Sequence, residues 1–344
     1  MAAQKPLGIG VVGTGGWARS FWESAETCSE VRLVACWNRT AERAQAFAQR
    51  FGCEVAPTLE DLVSRPDVDA IANFGSNNFH RHPTELAAAA GKHVFVDKPI
   101  ANTIEDSVAM IRACQKAGVV LMVGHSTRYR GQSRALKQLL DSGRLGLVAM
   151  AEANMSHSGG ARLTADEWRW HREEAPGGPL IQLAIHSFDT LHYFFGPTRR
   201  VSAFSTSSLL ASEIEDVFLS LLEFESGLLA YVGTNYVSSP IEFVRVYGKQ
   251  ASAYWEEAKL TLVSTHEEPW SLKTEEPPIP PIKAPAAEMA EFARAIHTGT
   301  SPETGGKEGL LALGVVWACL ESAQEGGRPV EVRAALGQAA SLLD

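Results

Sequence analysis

A chain of 344 residues is long enough for about two domains, and its 45% hydrophobic and 21% charged residues have the balance of a globular fold rather than of a disordered segment. The net charge of −9, without any basic block, weighs against nucleic acid as a partner. No apolar run approaches the roughly 20 residues of a membrane span, and Cys28, Cys36, Cys53, Cys114 and Cys319 are scattered without a CxxC pair, so they read as reduced thiols and not as a metal site.

The first six residues lead straight into an expected strand and leave no space for a signal peptide, so a cytoplasmic protein is expected. Apolar spacing predicts a strand over Leu7–Val12, a helix over Trp17–Thr27, a strand over Val31–Trp37 and a helix over Ala41–Phe51 ended by Gly52. Thr58 reads as an N-cap with Asp61 three positions on. The alternation continues with strand Asp69–Phe74, helix Pro83–Ala90 closed by Gly91, strand Val94–Val96, helix Thr103–Ala117 closed by Gly118, and strand Val119–Val123. Strands that are apolar on both sides and alternate with helices imply a parallel sheet covered on both faces. The pattern stops near Gly124, which divides the chain into a nucleotide-binding domain over 1–124 and a second domain over 125–344.

In the second domain a helix is expected over Gln132–Ser142, a strand over Val148–Ser156 and a long helix over Pro179–Phe195 ended by Gly196. Short strands follow at Val201–Thr206, Val217–Phe224, Leu228–Asn235, Phe243–Tyr247, Ser252–Glu256 and Lys259–Val263. Their partial alternation and turns such as Glu225-Ser226-Gly227 predict an open, mostly antiparallel sheet with one covered face. Pro277–Pro281 reads as extended, and helices over Ala286–Thr298 and Lys307–Glu325 close an α/β chain: a doubly wound parallel sheet followed by an α+β domain.

The chemistry is concentrated in a few motifs. The first strand breaks into Gly13-x-Gly15-Gly16-Trp17-Ala18 with a helix behind it. Free backbone N–H groups at such a helix start suit the pyrophosphate of a dinucleotide, and Trp17 is placed to cover it. The second strand ends in Trp37-Asn38-Arg39-Thr40, with Arg43 one turn on and no acid before Glu42. An acid there would select NAD, whereas an arginine accommodates the 2′-phosphate of NADP. The sequence therefore favours NADP and leaves NAD open, with Asn38 then serving the ribose and Arg39 stacking on adenine. Gly75, Ser76, Asn77, Asn78 and His80 follow the next long strand and are expected on the nicotinamide side. Asp97-Lys98-Pro99 ends the strand after that, where ligands sit in open α/β sheets. A lysine there can stabilise an alkoxide. Gly177-Gly178-Pro179 opens the long helix, on which Gln182, His186 and Asp189 fall on one face at helical spacing, with Asp189 available to orient the imidazole and His192 facing elsewhere.

These pieces together resemble the Gfo/Idh/MocA oxidoreductases, the glucose-fructose oxidoreductase and inositol dehydrogenase group, over nearly the whole chain. The resemblance rests on Gly13–Ala18, on Gly91-Lys92-His93-Val94 followed by Asp97-Lys98-Pro99, on Trp168-Arg169, and on Gly177 to His186. It implies a Rossmann domain and a C-terminal domain whose open sheet serves oligomer contact, here a homodimer or homotetramer. It implies NAD(P)-dependent oxidation or reduction of a sugar, polyol or similar hydroxy compound, with Lys98 and His186 catalytic and Trp168 and Arg169 near the cofactor. Tyr129, His171 and Asp189 are candidates for substrate contact. Three positions depart from the family pattern: Asp97 replaces Glu, Ala184 replaces Gly, and Gln182 stands where many members have Asp. An amide hydrogen-bonds a hydroxyl but takes no proton. Gln182 therefore keeps a second reading open, a non-catalytic NAD(P)-binding regulator. An NAD-dependent glycoside hydrolase ranks below both, given Arg39 and the missing carboxylate.

Overall fold

The computed structural model describes residues 5–266 and 271–344. The chain divides into two compact units, Met1–Tyr129 with Lys283–Leu310, and Arg130–Ile282 with Leu311–Asp344.

The first unit contains β1 (Leu7–Val12), α1 (Gly16–Ala25), β2 (Val31–Trp37), α2 (Ala41–Phe51), β3 (Glu54–Val55), α3 (Leu59–Ser64), β4 (Ala70–Asn73), α4 (Arg81–Ala89), β5 (His93–Asp97), α5 (Ile104–Ala117) and β6 (Leu121–Gly124). The six strands are parallel, in the order β3-β2-β1-β4-β5-β6. That order reverses between β1 and β4, so the sheet opens a crevice at their carboxyl ends. The N-cap expected at Thr58 is present, accepting from the backbone N–H of Asp61, and Gly52 and Gly118 close α2 and α5 in the left-handed region. Thr103, expected inside its helix, is instead the N-cap of α5 and accepts from the backbone N–H of Asp106. β3 was not expected from sequence, because two exposed residues carry no periodicity.

The core of this unit is aromatic. Phe21 of α1 meets Phe74 at 4.9 Å and Phe95 of β5 at 5.4 Å between ring centroids. Helix α8 (Ala284–Thr298), from far along the chain, inserts Phe292 against Phe95 at 6.0 Å. Burial of Phe292, Met289 and Ala293 brings this late helix into the same core as Ile9 and Val11 of β1.

The second unit holds α6 (Gly131–Asp141), β7 (Val148–Ser156), α7 (Ile185–Phe195) and strands β8 (Thr198–Thr206), β9 (Val217–Phe224), β10 (Leu229–Asn235), β11 (Ile241–Gly248), β12 (Ala251–Glu256), β13 (Lys259–His266) and β14 (Ser271–Glu275). Helix α9 (Gly306–Gln324), β15 (Val330–Glu331) and α10 (Val332–Leu336) complete the chain. The nine-stranded sheet runs β14-β13-β12-β11-β7-β10-β9-β8-β15 and is antiparallel except for β7 against β10. The helix expected over Pro179–Phe195 is not uniform: Leu180–Ala184 form a π-helix, and α7 starts only at Ile185. A wider turn there changes the angular step, so plain α-helical spacing of Gln182 against His186 does not hold.

Phe292→Ala removes a fully buried ring from the shared aromatic core. It is expected to destabilise the first unit by ~3–5 kcal/mol, read as a lowered urea midpoint by fluorescence of buried Trp22. A loss below about 1 kcal/mol, typical of a surface substitution, would contradict this placement of α8.

Candidate functional site

At the end of β1 the backbone turns at Gly13, with φ +81. A Cβ on Gly13 would sit 2.8 Å from the Gly75 nitrogen and from the Phe74 carbonyl group, so only glycine lets the two strand ends approach this closely. Gly15 is the N-cap of α1 and supplies no side-chain cap, and added Cβ atoms on Gly15 or Gly16 would meet nothing within 4 Å. Backbone N–H groups at a helix start thus border open space. That combination fits a pyrophosphate, with Gly13 to Trp17 as its cradle and the helix dipole favouring its charge. Ala18 is buried and packs α1 onto the sheet.

The end of β2 is tied to this turn. Asn38 Nδ2 donates to Thr14 Oγ1 at 2.7 Å, and Asn38 Oδ1 accepts from the Thr40 amide at 3.0 Å. Asn38 therefore fixes the loop that presents Arg39 and Thr40. Arg39 is exposed, its guanidinium 5.6 Å from the centroid of Phe79, which itself stacks with Trp37 at 5.9 Å. Among the described residues no carboxylate pairs with Arg39 or with Arg43, which is also exposed. Phe79 as the platform for Arg39 was not anticipated, since one aromatic in a polar loop gives no sequence signal.

After β4, Asn73 Oδ1 accepts from the Gly75 amide at 3.0 Å, Ser76 donates to Asn78 at 2.7 Å, and Asn77 donates to Asn102 at 3.0 Å. His80 is 1% exposed. Its Nδ1 lies 2.9 Å from the Pro99 carbonyl and its Nε2 3.2 Å from that of Gly75, so the ring is committed to backbone and not to the crevice surface. Burial lowers its pKa to about 4. After β5, Asp97 accepts from the Trp17 indole at 3.1 Å, which joins the lysine loop to the glycine turn. Lys98 is half-buried beside it and precedes Pro99 through a cis bond.

In the second unit, Gly177 and Gly178 both have positive φ, +75 and +48, and lead into the π-helix. Every residue from 177 to 192 is buried except His186, which is half-buried. One imidazole is thus the only side chain this segment brings to a surface. Gln182 lies at its buried side, with Arg169 Nε 3.5 Å from Gln182 Oε1, and Asp189 is 1% exposed one turn beyond His186. Arg169 lies over Trp168, 4.3 Å to the ring centroid, and Trp168 packs against the cluster formed by Ala175, Leu183, Ile214 and Tyr236. Tyr236, after β10, stacks on His157, after β7, at 5.2 Å. This pair was missed, because residues just past strand ends show no periodicity. His192 bonds Thr198 at 2.9 Å, a structural role as expected.

Two expected substrate residues are placed differently. Tyr129 is 2% exposed within the aromatic core of the first unit. Desolvation drives its hydroxyl well above the usual phenol pKa, so it is a packing residue. His171 is engaged on both nitrogens, by the Ala165 carbonyl at 2.9 Å and Glu213 at 3.2 Å. Those partners raise its pKa, the carbonyl contributing most, and the ring clamps two loops together.

Residues 7–125 match the model of an oxidoreductase family with NAD-binding Rossmann fold, GFO_IDH_MocA, and residues 133–254 match the GFO/IDH/MocA C-terminal domain. A 1,5-anhydro-D-fructose reductase of Ensifer adhaerens is 28% identical over 328 residues, covering 92% of this chain and 96% of its own. A D-apiose dehydrogenase of Paraburkholderia graminis is 28% identical over 343 residues, covering 94% and 89%. Among solved structures, a candidate NADPH-dependent oxidoreductase of Desulfitobacterium hafniense superposes with a TM-score of 0.93 at 30% identity, over 97% of this chain and 100% of that one. The glycine turn, the lysine loop and the two matched domains agree, and the chain belongs to the Gfo/Idh/MocA family of NAD(P)-dependent oxidoreductases.

Proposed function

We propose that this protein transfers hydride between NADP and a hydroxyl or carbonyl carbon of a sugar-like substrate, with Lys98 and His186 as its catalytic residues. The observation that carries the proposal is Lys98 itself: a half-buried cation on the loop after β5, held beside the glycine turn by the Trp17–Asp97 bond. The reductase and dehydrogenase relatives, named for 1,5-anhydro-D-fructose and D-apiose, support a sugar-like substrate. When bound, the nicotinamide accepts or returns the hydride. Lys98 stabilises the negative charge that develops on the substrate oxygen, by charge and by hydrogen-bond donation. His186 takes the hydroxyl proton in oxidation and returns it in reduction. Gln182 orients a hydroxyl through its amide and leaves proton transfer to His186 alone. Arg39, with Arg43 behind it, binds the 2′-phosphate that distinguishes NADP from NAD.

The open face of the second unit's sheet supports self-association. Phe204 of β8, Leu219 and Leu221 of β9, Leu229 of β10 and Met150 of β7 are exposed on neighbouring strands, with Phe204 opposite Leu219 and Leu229 opposite Met150. A flat apolar patch of this kind is matched by the same patch on a second copy. We assign this face to a homodimer contact.

Three measurements test these assignments. Lys98→Met is expected to lower kcat for 1,5-anhydro-D-fructose with NADPH by about 100-fold or more, with NADPH affinity nearly unchanged; equal turnover would remove Lys98 from the mechanism. In fluorescence titrations, Arg39→Ala should weaken NADPH binding by roughly 10-fold, one charge-assisted contact, and leave NADH binding as it was. An equal loss for both cofactors would overturn the 2′-phosphate role. By light scattering at micromolar concentration, the protein should be dimeric or larger and Leu221→Glu monomeric, whereas a monomeric parent protein would refute the sheet contact.

A further inference from the structure

His80 lies outside the residues that the proposed chemistry uses, yet its ring joins two loops that do. Its Nδ1 faces the carbonyls of Pro99 at 2.9 Å and Ile100 at 3.3 Å, on the loop that carries Lys98. Its Nε2 faces the Gly75 carbonyl at 3.2 Å, on the loop after β4. The residue's own carbonyl is held by the Thr84 hydroxyl at 2.8 Å and the Asn73 amide at 3.3 Å, so its backbone is pinned to the start of α4. The bridge is closed a second time by Asn77 donating to Asn102 at 3.0 Å.

A neutral imidazole has one N–H, and here every neighbour is an acceptor. One nitrogen must therefore present a lone pair to a carbonyl oxygen. Protonation would satisfy both sides, but a cation in this buried position is disfavoured by desolvation, with Lys98 adding a smaller repulsion. The proton belongs where it does most, on Nδ1, which has the shorter contact and two carbonyls to serve.

We infer that His80 is a positioning residue: as a neutral Nδ1–H tautomer it holds the backbone of the Lys98-Pro99-Ile100 loop and sets the lysine relative to the Gly75 loop. This inference rests on the role proposed for Lys98. The Nδ1–H bond anchors the carbonyl directly after the lysine, one peptide from the group that must meet a developing alkoxide. The opposite edge of the ring is a spacer against Gly75. It keeps the loop after β4 at fixed distance without a bond that would pull it in. Displacement of catalytic groups by about 1 Å can cost about 100-fold in rate, so a buried ring that touches no reactant still acts on turnover.

The conservative variants separate the two edges. In Asn the side-chain amide sits where Nδ1 was, and in Gln where Nε2 was. His80→Asn is expected to keep kcat within about threefold, while His80→Gln lowers it by about 10- to 100-fold with KM and NADPH affinity little changed. Nitrogen-15 NMR of the histidine-labelled protein should show a neutral Nδ1–H ring signal that is absent in both variants, through the neutral pH range. Thermal unfolding of both variants controls for a fold defect. An Nε2–H or charged form, at neutral pH, for the ring whose signal both variants lack would overturn the tautomer. Equal kcat losses in Asn and Gln variants of equal stability, or losses that follow NADPH affinity, would overturn the positioning role. Lys98→Met run in parallel separates the two claims. If it leaves turnover intact, the role of the lysine fails. If it abolishes turnover while His80→Gln does not, only the present inference fails.

Discussion

The first unit depends on one close approach, the backbone of Gly13 against Phe74 and Gly75 where β1 and β4 end. It leaves no space for a side chain, and it opens the crevice at the point where strand order reverses. Three ties radiate from it. Thr14 holds Asn38 and so the loop of Arg39, Trp17 holds Asp97 and so the loop of Lys98, and Gly75 meets His80, which reaches Pro99. The strand ends that would contact a dinucleotide are thus fixed to one another by side chains inside this unit. Such ties reduce the ordering that binding would otherwise require.

In the second unit the controlling feature is the π-helical start at Leu180–Ala184. Two glycines at positive φ allow it, and it sets Gln182 at a rotation that an α-helix would not give. The segment is otherwise buried and leaves His186 half-buried, in keeping with the proton-transfer role proposed for it. Gln182 in place of a carboxylate has a consequence for chemistry. In the mechanism proposed above, proton transfer falls to one imidazole and the amide contributes orientation alone.

Much of the fold was legible in the sequence for local reasons. Val31–Trp37, Ala41–Phe51, Val148–Ser156 and Val217–Phe224 match to the residue, because apolar period and capping residues agree at those places. Membership of the family was also legible from its motifs. What was not legible depends on long-range packing. The π-turn replaces a helix whose pattern reads as plain α, and β14 and β15 are strands made by their partners. Tyr129 follows β6 like a site residue but is drawn into the core by α8, over 150 residues later in sequence. His80 was expected at the cofactor from its place in a polar loop. Its two nitrogens face carbonyls from two different loops, a relation that no local spacing carries. The Tyr236–His157 stack likewise joins the ends of β10 and β7, which no spacing rule connects.

The central claim is that hydride passes between a nicotinamide and a sugar-like carbon on this protein. The direct measurement uses NADPH deuterated at the transferable position, incubated with the purified protein and 1,5-anhydro-D-fructose or the open-chain aldehyde form of D-apiose, with the products read by mass spectrometry. The account expects deuterium on a carbon of the reduced sugar and oxidised cofactor in equal amount. Recovery of fully labelled NADPH, bound by the protein but never oxidised by either compound or by a wider set of ketosugars, would contradict it and leave a cofactor-binding regulator in its place.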